Sequence, residues 1–287
     1  MDWKVGMDLR EYIERRELTF LRAMYGSNVV LPSWKRLMAG LPEEKEARTR
    51  YFKNVCIGVW QQIKFDDVSI YAEEDLESIE RILNFMSHRA SLFRDCVADT
   101  ADKDDDTCLC DDEDIFALER VARKGWTRVI PAFGTGIGSG VETVDVHSVK
   151  TAILAGLMGD ASFERLFLMG LVHDHAEQWI GDLTPSEVVD RAAKKKRELA
   201  VYRNKVESSG LSEKKKALIL HAFEMCMDDG SVEFCLIHIA DKLDMAMQAW
   251  DYERKFGVDL TEFFDSAGQD IECAVDKMMT LKKNCDT

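Results

Sequence analysis

Several scarcities narrow the reading of this chain before any motif is considered. Only four prolines occur in 287 residues, Pro32, Pro42, Pro131 and Pro185. Breakers of regular structure are therefore rare, and no long series of alternating, β-branched strands is present. No apolar run approaches the ~20 residues that span a bilayer, and the opening Met1-Asp2-Trp3-Lys4 lacks a signal-peptide apolar region. A cytoplasmic protein without a membrane partner is the expectation. Positive charge is in short supply too: 38 Lys and Arg face 53 Asp and Glu, a net charge of −15 with a pI near 4.9. That balance argues against broad attachment to a nucleic acid polymer or an anionic membrane, which needs a cationic face. It leaves room for a small anion held locally by an arginine and a metal. The eight cysteines (Cys56, Cys96, Cys108, Cys110, Cys226, Cys235, Cys273, Cys285) have neither scaffold-like nor zinc-like spacing, so free thiols in a reducing compartment are expected.

What the chain does contain is helix-forming. Hydrophobic residues make up 46% of it, enough for a sizeable core, and the fold class expected is all-α. Amphipathic helices are expected at about 8–24, 44–64 and 74–94; in the last, Ile79, Ile82, Leu83 and Met86 fall at helical spacing. Asp99 to Asp114 is acidic and poor in apolar residues, the composition of a linker. Within it Asp102, Asp104, Asp106 and Glu113 follow the spacing of a calcium loop, but Thr107 occupies the turn-making glycine position, which favours a plain acidic loop. Helical pattern resumes at Ile115 and is expected to break at Gly125. The Gly134–Gly140 stretch has no Lys-Ser/Thr after it and so lacks the P-loop pattern. A further helix carries His147. Thr184-Pro185-Ser186-Glu187 has the form of a capping box with proline at the first helical position. The remainder, about 186–284, reads as helix with breaks at Gly210, Gly230, Gly257 and Gly268.

Chemistry concentrates in His173-Asp174-His175-Ala176-Glu177-Gln178-Trp179-Ile180-Gly181-Asp182, directly after the apolar run Leu166–Val172. Charged groups approached by so apolar a segment are costly unless paired or bound to a metal. If the segment is helical, Glu177 projects one turn beyond His173 and Asp174, near the same face. An imidazole beside a carboxylate suits a mid-hardness divalent ion, with Mn, Co, Mg, Fe, Ni and Zn all open. Two ligands seldom suffice, and His147 and Asp241, each polar in an apolar helical setting, are the candidates to complete the set. The Lys194–Arg197 and Lys214–Lys216 runs read as solvated helix faces.

The order of one His, a His-Asp pair and a distant Asp resembles the HD-domain metal-dependent phosphohydrolases. The pattern His-Asp-x-x-Glu-x-x-x-Gly-Asp from His173 to Asp182 resembles the 5'-deoxynucleotidase branch, the HD domain-containing protein 2-like group. Leu118–Trp126, with Arg123-Lys124-Gly125-Trp126, resembles that group's Arg-x-Gly-Trp opening, and Ala240–Glu253 its closing helix. The likeness covers about 115–255, and the interval from Trp126 to His147 is several residues longer than the family pattern.

The resemblance implies an HD-domain helical bundle over 115–287, an N-terminal helical extension over 1–98 and an acidic linker over 99–114. It implies metal ligation by His147, His173, Asp174 and Asp241, and catalytic roles for Glu177 and Asp182. Substrate binding falls to Arg123, Trp126, Asp182, Thr184 and Pro185, with Arg123 on the phosphate and Trp126 against the sugar. The implied partner is a small nucleotide, with a homodimer by family habit. The implied reaction is metal-dependent hydrolysis of (deoxy)nucleoside 5'-monophosphates. The alternatives are an HD phosphohydrolase acting on a dNTP, a cyclic nucleotide or (p)ppGpp, and a non-catalytic HD module that binds a protein.

Overall fold

The computed structural model describes residues 8–14, 24–25, 29–65, 118, 121–130, 141–158, 163–182 and 190–285. No strand occurs among them beyond a single bridge pairing Ala122 with Thr143, so the chain is all-α as expected. The helices are α1 (Leu9–Glu14), α2 (Trp34–Ala39), α3 (Lys45–Phe65), α4 (Lys124–Val129), α5 (Val144–Met158), α6 (Phe163–Val172), α7 (Glu177–Ile180), α8 (Arg191–Glu207), α9 (Glu213–Cys226), α10 (Val232–Phe256) and α11 (Thr261–Cys285). None of these helices is long and apolar enough to cross a membrane.

The chain divides into two compact units. The first comprises Met1–Val30, Lys53–Cys108 and Met245–Gln269; the second comprises Leu31–Phe52, Leu109–Asp244 and Asp270–Thr287. Within the first, Leu9 and Ile13 are buried. Arg10 ties α1 down by an ion pair with Glu253 at 2.7 Å and lies 4.5 Å over the Phe264 ring.

The second unit is organised around α5 and α6. From Val144 to Gly156 every residue of α5 is buried except Val146, and Leu166–Val172 of α6 are all buried. A helix apolar on all sides has to sit inside other helices. Phe52 of α3 stacks on Phe167 at 4.4 Å, and Tyr202 of α8 stacks on Phe223 of α9 at 4.0 Å. Burying a side chain such as Phe167 contributes roughly 1.5–3 kcal/mol. The approach of α5 to α6 is closest at Gly170, where an added Cβ would stand 2.5 Å from Ala152 Cα and 2.8 Å from Ala152 N. Only hydrogen fits there. Asp145, buried on α5, accepts the Trp34 N–H at 2.7 Å and so docks the start of α2, whose Ser33 hydroxyl caps Arg36 N.

Three expectations meet the structure differently. Gly125 lies inside α4 instead of ending a helix. Gly268 lies inside α11, where a lone glycine costs about 1 kcal/mol and does not stop a helix packed along its length. The other three glycine breaks fall between helices as expected. The His173-Asp174 pair is not on a helix: α6 ends at Val172, and residues 173–176 form a tighter turn, with His175 N donating to Val172 O and Glu177 N to Asp174 O. The helix expected at 8–24 is described only as far as Glu14 and at 24–25. The 74–94 helix, the acidic segment, Gly134–Gly140 and Thr184–Glu187 lie outside the described residues.

Candidate metal centre

Three places in the second unit deliver the implied ligands to one point. His147 comes from the first turn of α5, His173 and Asp174 from the turn after α6, and Asp241 from the middle of α10. Single atoms of His147, His173 and Asp241 all lie within 4.8 Å of one another. Asp174 Oδ2 is 3.5 Å from His147 Nε2 and 3.2 Å from His173 Nε2, while Asp241 Oδ1 is 3.2 Å from His147 Nε2.

Each imidazole is oriented through its other nitrogen. His173 Nδ1 lies 2.7 Å from the Gly170 carbonyl, and His147 Nδ1 lies 2.6 Å from Asp244 Oδ2. A carbonyl can only accept, so His173 donates from Nδ1 and turns its Nε2 inward. The Asp244 carboxyl, wholly buried, is pushed well above the usual carboxylate range by desolvation. Paired through Nδ1 with this carboxyl, His147 turns its Nε2 inward, the carboxylate–histidine arrangement typical of metal ligands. Sequence reasoning gave Asp244 no role. Its signal was a second aspartate three residues after Asp241, in the middle of buried Leu243, Ala246 and Met247.

The electrostatics favour a cation. Burial would raise Asp174, but His173, His147 and Arg123 outweigh it and hold its carboxyl well below the ordinary range. Burial likewise opposes ionisation of Asp241, yet Lys242, with Nζ 3.0 Å from Oδ2, and His147 keep it well below that range. His147 Nε2, His173 Nε2 and Glu177 Oε2 are buried without a hydrogen-bond partner. Orphaned polar atoms of this kind are rare in native interiors. A mixed set of imidazole nitrogen and carboxylate oxygen fits a divalent transition ion or magnesium.

Glu177 opens α7 and is buried. Desolvation, with Asp174 and Asp182 nearby, raises its carboxyl well above 4.5. Gly181 ends α7 with φ 82° and ψ 154°, a backbone region essentially reserved for glycine, and this turn delivers Asp182. Asp182 Oδ2 accepts the Lys124 N–H at 2.5 Å, at the start of α4. Arg123 precedes that helix and points its guanidinium into the cluster, 2.8 Å from Asp174 Oδ2 and 4.0 Å from Asp241 Oδ1. Trp126 is only 2% exposed and its indole N–H donates to Glu142 Oε2 at 3.1 Å. So deeply buried an indole leaves little ring face exposed. Thr184 and Pro185 lie outside the described residues. His175, read as an ordinary residue, has its ring among Trp34, Trp179 and Tyr202.

The match to known families falls on these same elements. Residues 118–279 fit the model of the HD domain, which takes in all the implied ligands and Arg123. The chain belongs to the HD-domain family. Among its curated relatives is the 5'-deoxynucleotidase HDDC2 of Danio rerio, 33% identical over 156 residues, covering 52% of this chain and 72% of that protein. The 5'-deoxynucleotidase hdd1 of Schizosaccharomyces pombe is 31% identical over 132 residues, covering 42% of this chain and 65% of that one. A Pyrococcus horikoshii protein of known crystal structure aligns with a TM-score of 0.43 at 24% identity, covering 59% of this HD-domain chain and 95% of that one.

Proposed function

We propose that this HD-domain protein is a metal-dependent phosphohydrolase that cleaves (deoxy)nucleoside 5'-monophosphates to nucleoside and phosphate. One observation carries the reading: an arginine fork reaches into the same cluster that gathers the His and Asp ligand atoms within 4.8 Å. The relatives' activity, read from their names, supplies the substrate class.

His147, His173, Asp174 and Asp241 hold the ion, which when bound supplies positive charge to the phosphoryl oxygens and acidifies water. Arg123 matches two phosphate oxygens with a planar pair of N–H donors, trading its contact with Asp174 for the substrate. Glu177 accepts the proton of the attacking water as the water oxygen bonds to phosphorus. The bond from phosphorus to O5' then breaks, and Glu177 returns the proton to the departing O5'. Asp182 acts by holding the start of α4, and with it Arg123. Trp126 supports that arm. Thr184 and Pro185 complete the nucleotide side. The catalytic domain is 115–287, joined through the acidic linker 99–114 to the extension 1–98, and the protein works in the cytoplasm as a homodimer.

Phosphate release from deoxy- and ribonucleoside monophosphates, nucleoside triphosphates, cyclic nucleotides and (p)ppGpp, each with Mn, Co and Mg, tests the reading. Orthophosphate from monophosphates is expected. Pyrophosphate or triphosphate as the product, or turnover of cyclic substrates alone, overturns it. Protein purified without bound metal and inactive on the whole panel points to the non-catalytic module.

A further inference from the structure

We propose that Glu142 is a positioning residue that fixes the phosphate arm, Arg123 to Trp126, against the ligand-bearing helix α5. What Arg123 binds rests on the nucleotidase reading; how the arm is held rests on geometry alone.

The arm is a short element. Helix α4 has six residues, and Arg123 at its N-cap makes no side-chain capping bond. So short a helix is not stable by itself. Asp182 secures its first N–H, and Glu142 secures the rest at two points. The Glu142 carbonyl accepts the Arg123 N–H at 3.0 Å, beside the Val144 N–H bond to Val121 O at 2.8 Å. Its Oε2 accepts the Trp126 indole N–H at 3.1 Å.

A third bond anchors Glu142 itself: its Oε1 accepts from Lys150 Nζ at 2.7 Å. Lys150 stands on α5 three residues past the ligand His147, so one carboxylate joins the arm to the helix that carries the ion. A Glu142 carboxylate oxygen also lies within 4.8 Å of a His147 ring nitrogen and an Asp244 carboxylate oxygen. Burial opposes its ionisation, but Lys150, His147 and Arg123 draw its carboxyl below the usual value, so it accepts from both donors as a carboxylate. Glu142 and Lys150 are each 7% exposed. A buried ion pair rarely stabilises a fold better than apolar residues of equal volume, and its use here is to set register.

Two variants separate this role from plain core packing. Glu142→Gln keeps the shape and removes the charge. Glu142→Gln combined with Lys150→Met removes the pair without stranding an ammonium. Each full-length protein is loaded with Mn and followed by circular dichroism, metal analysis, amide hydrogen exchange and steady-state kinetics. Wild-type helicity and metal stoichiometry are expected. Exchange at the Arg123 and Thr127 amides should quicken about tenfold, the scale of one charge-assisted hydrogen bond. KM for the monophosphate should rise about tenfold with kcat within about twofold, the pattern of lost ground-state binding. Unchanged exchange at residues 121–127 overturns the proposal. So does loss of metal, or faster exchange extending through α6, because either makes Glu142 a general core residue. If the wild type releases no phosphate from any nucleotide, the nucleotidase reading fails alone, since exchange at Arg123 is read without substrate and still decides the role of Glu142.

Discussion

The cation side of the site and the phosphate side are held in different ways. His147 and Asp241 ride long buried helices, and His173 and Asp174 follow immediately on another. Their imidazoles are oriented by partners on these same buried elements: His173 by a carbonyl three residues back, His147 by an aspartate 97 positions on, one turn from Asp241 on α10. Arg123 and Trp126 ride a helix of six residues, placed by acceptors that stand 16 and 58 positions away in sequence, Glu142 and Asp182. The first side is rigid because its scaffold is the core. The second leans in addition on two hydrogen-bonded carboxylates, Glu142 and Asp182. Substitutions should therefore fall into two groups, one that loses the ion and one that keeps it.

The sharpest break is Asp174→Ala. It removes a ligand and the partner of Arg123, so metal stoichiometry should fall towards zero and phosphate release by roughly 10³-fold or more. Metal analysis alongside the phosphate assay checks this, and full metal content in the variant would dismiss Asp174 as a ligand.

Next comes Glu177→Gln, which should keep the metal and lower kcat by about 10²–10⁴-fold. A base works only when ionised, and burial raises the Glu177 carboxyl well above 4.5. Wild-type turnover should thus decline with acidification at a pH above 4.5, as protons return to this carboxylate. The decline should be missing from the residual rate of the Gln variant, measured in buffers stepped across that range.

Asp244→Ala tests how far the cation side depends on an outer partner. Metal affinity should drop about 10–100-fold, as for other carboxylates behind histidine ligands, measured by calorimetric titration. An unchanged affinity would mean that helix packing alone orients His147.

The smallest effect belongs to the phosphate side. Arg123→Lys keeps one charge and loses the planar fork, so KM should rise about tenfold with metal content intact. A variant that also loses metal would erase the distinction between the two sides.

This contrast also governs what could be read from sequence. The HD-domain assignment and the grouping of His147, His173, Asp174 and Asp241 followed from the resemblance of three ordered sequence blocks, while the apolar helical setting of these residues, a local property, marked them as candidates. The turn at 173–176 escaped detection, since nothing in Val172-His173-Asp174 marks where α6 tightens. Asp244 left a faint trace as a second carboxylate in a buried stripe. Glu142 and Lys150 left less, because a Glu and a Lys eight residues apart look like ordinary charge until the tryptophan sixteen positions before Glu142 bonds to it. The burial of Trp126 is a tertiary outcome of the same kind.

Gly170 lends the cation side one more property. Its missing methyl lets two helix backbones touch, and its own carbonyl steers His173. The gap between α5 and α6 thus works as a caliper for the span between His147 and His173. A family member bearing a side chain at this position must give up bulk opposite, at the place of Ala152, or grip its ion with a wider jaw.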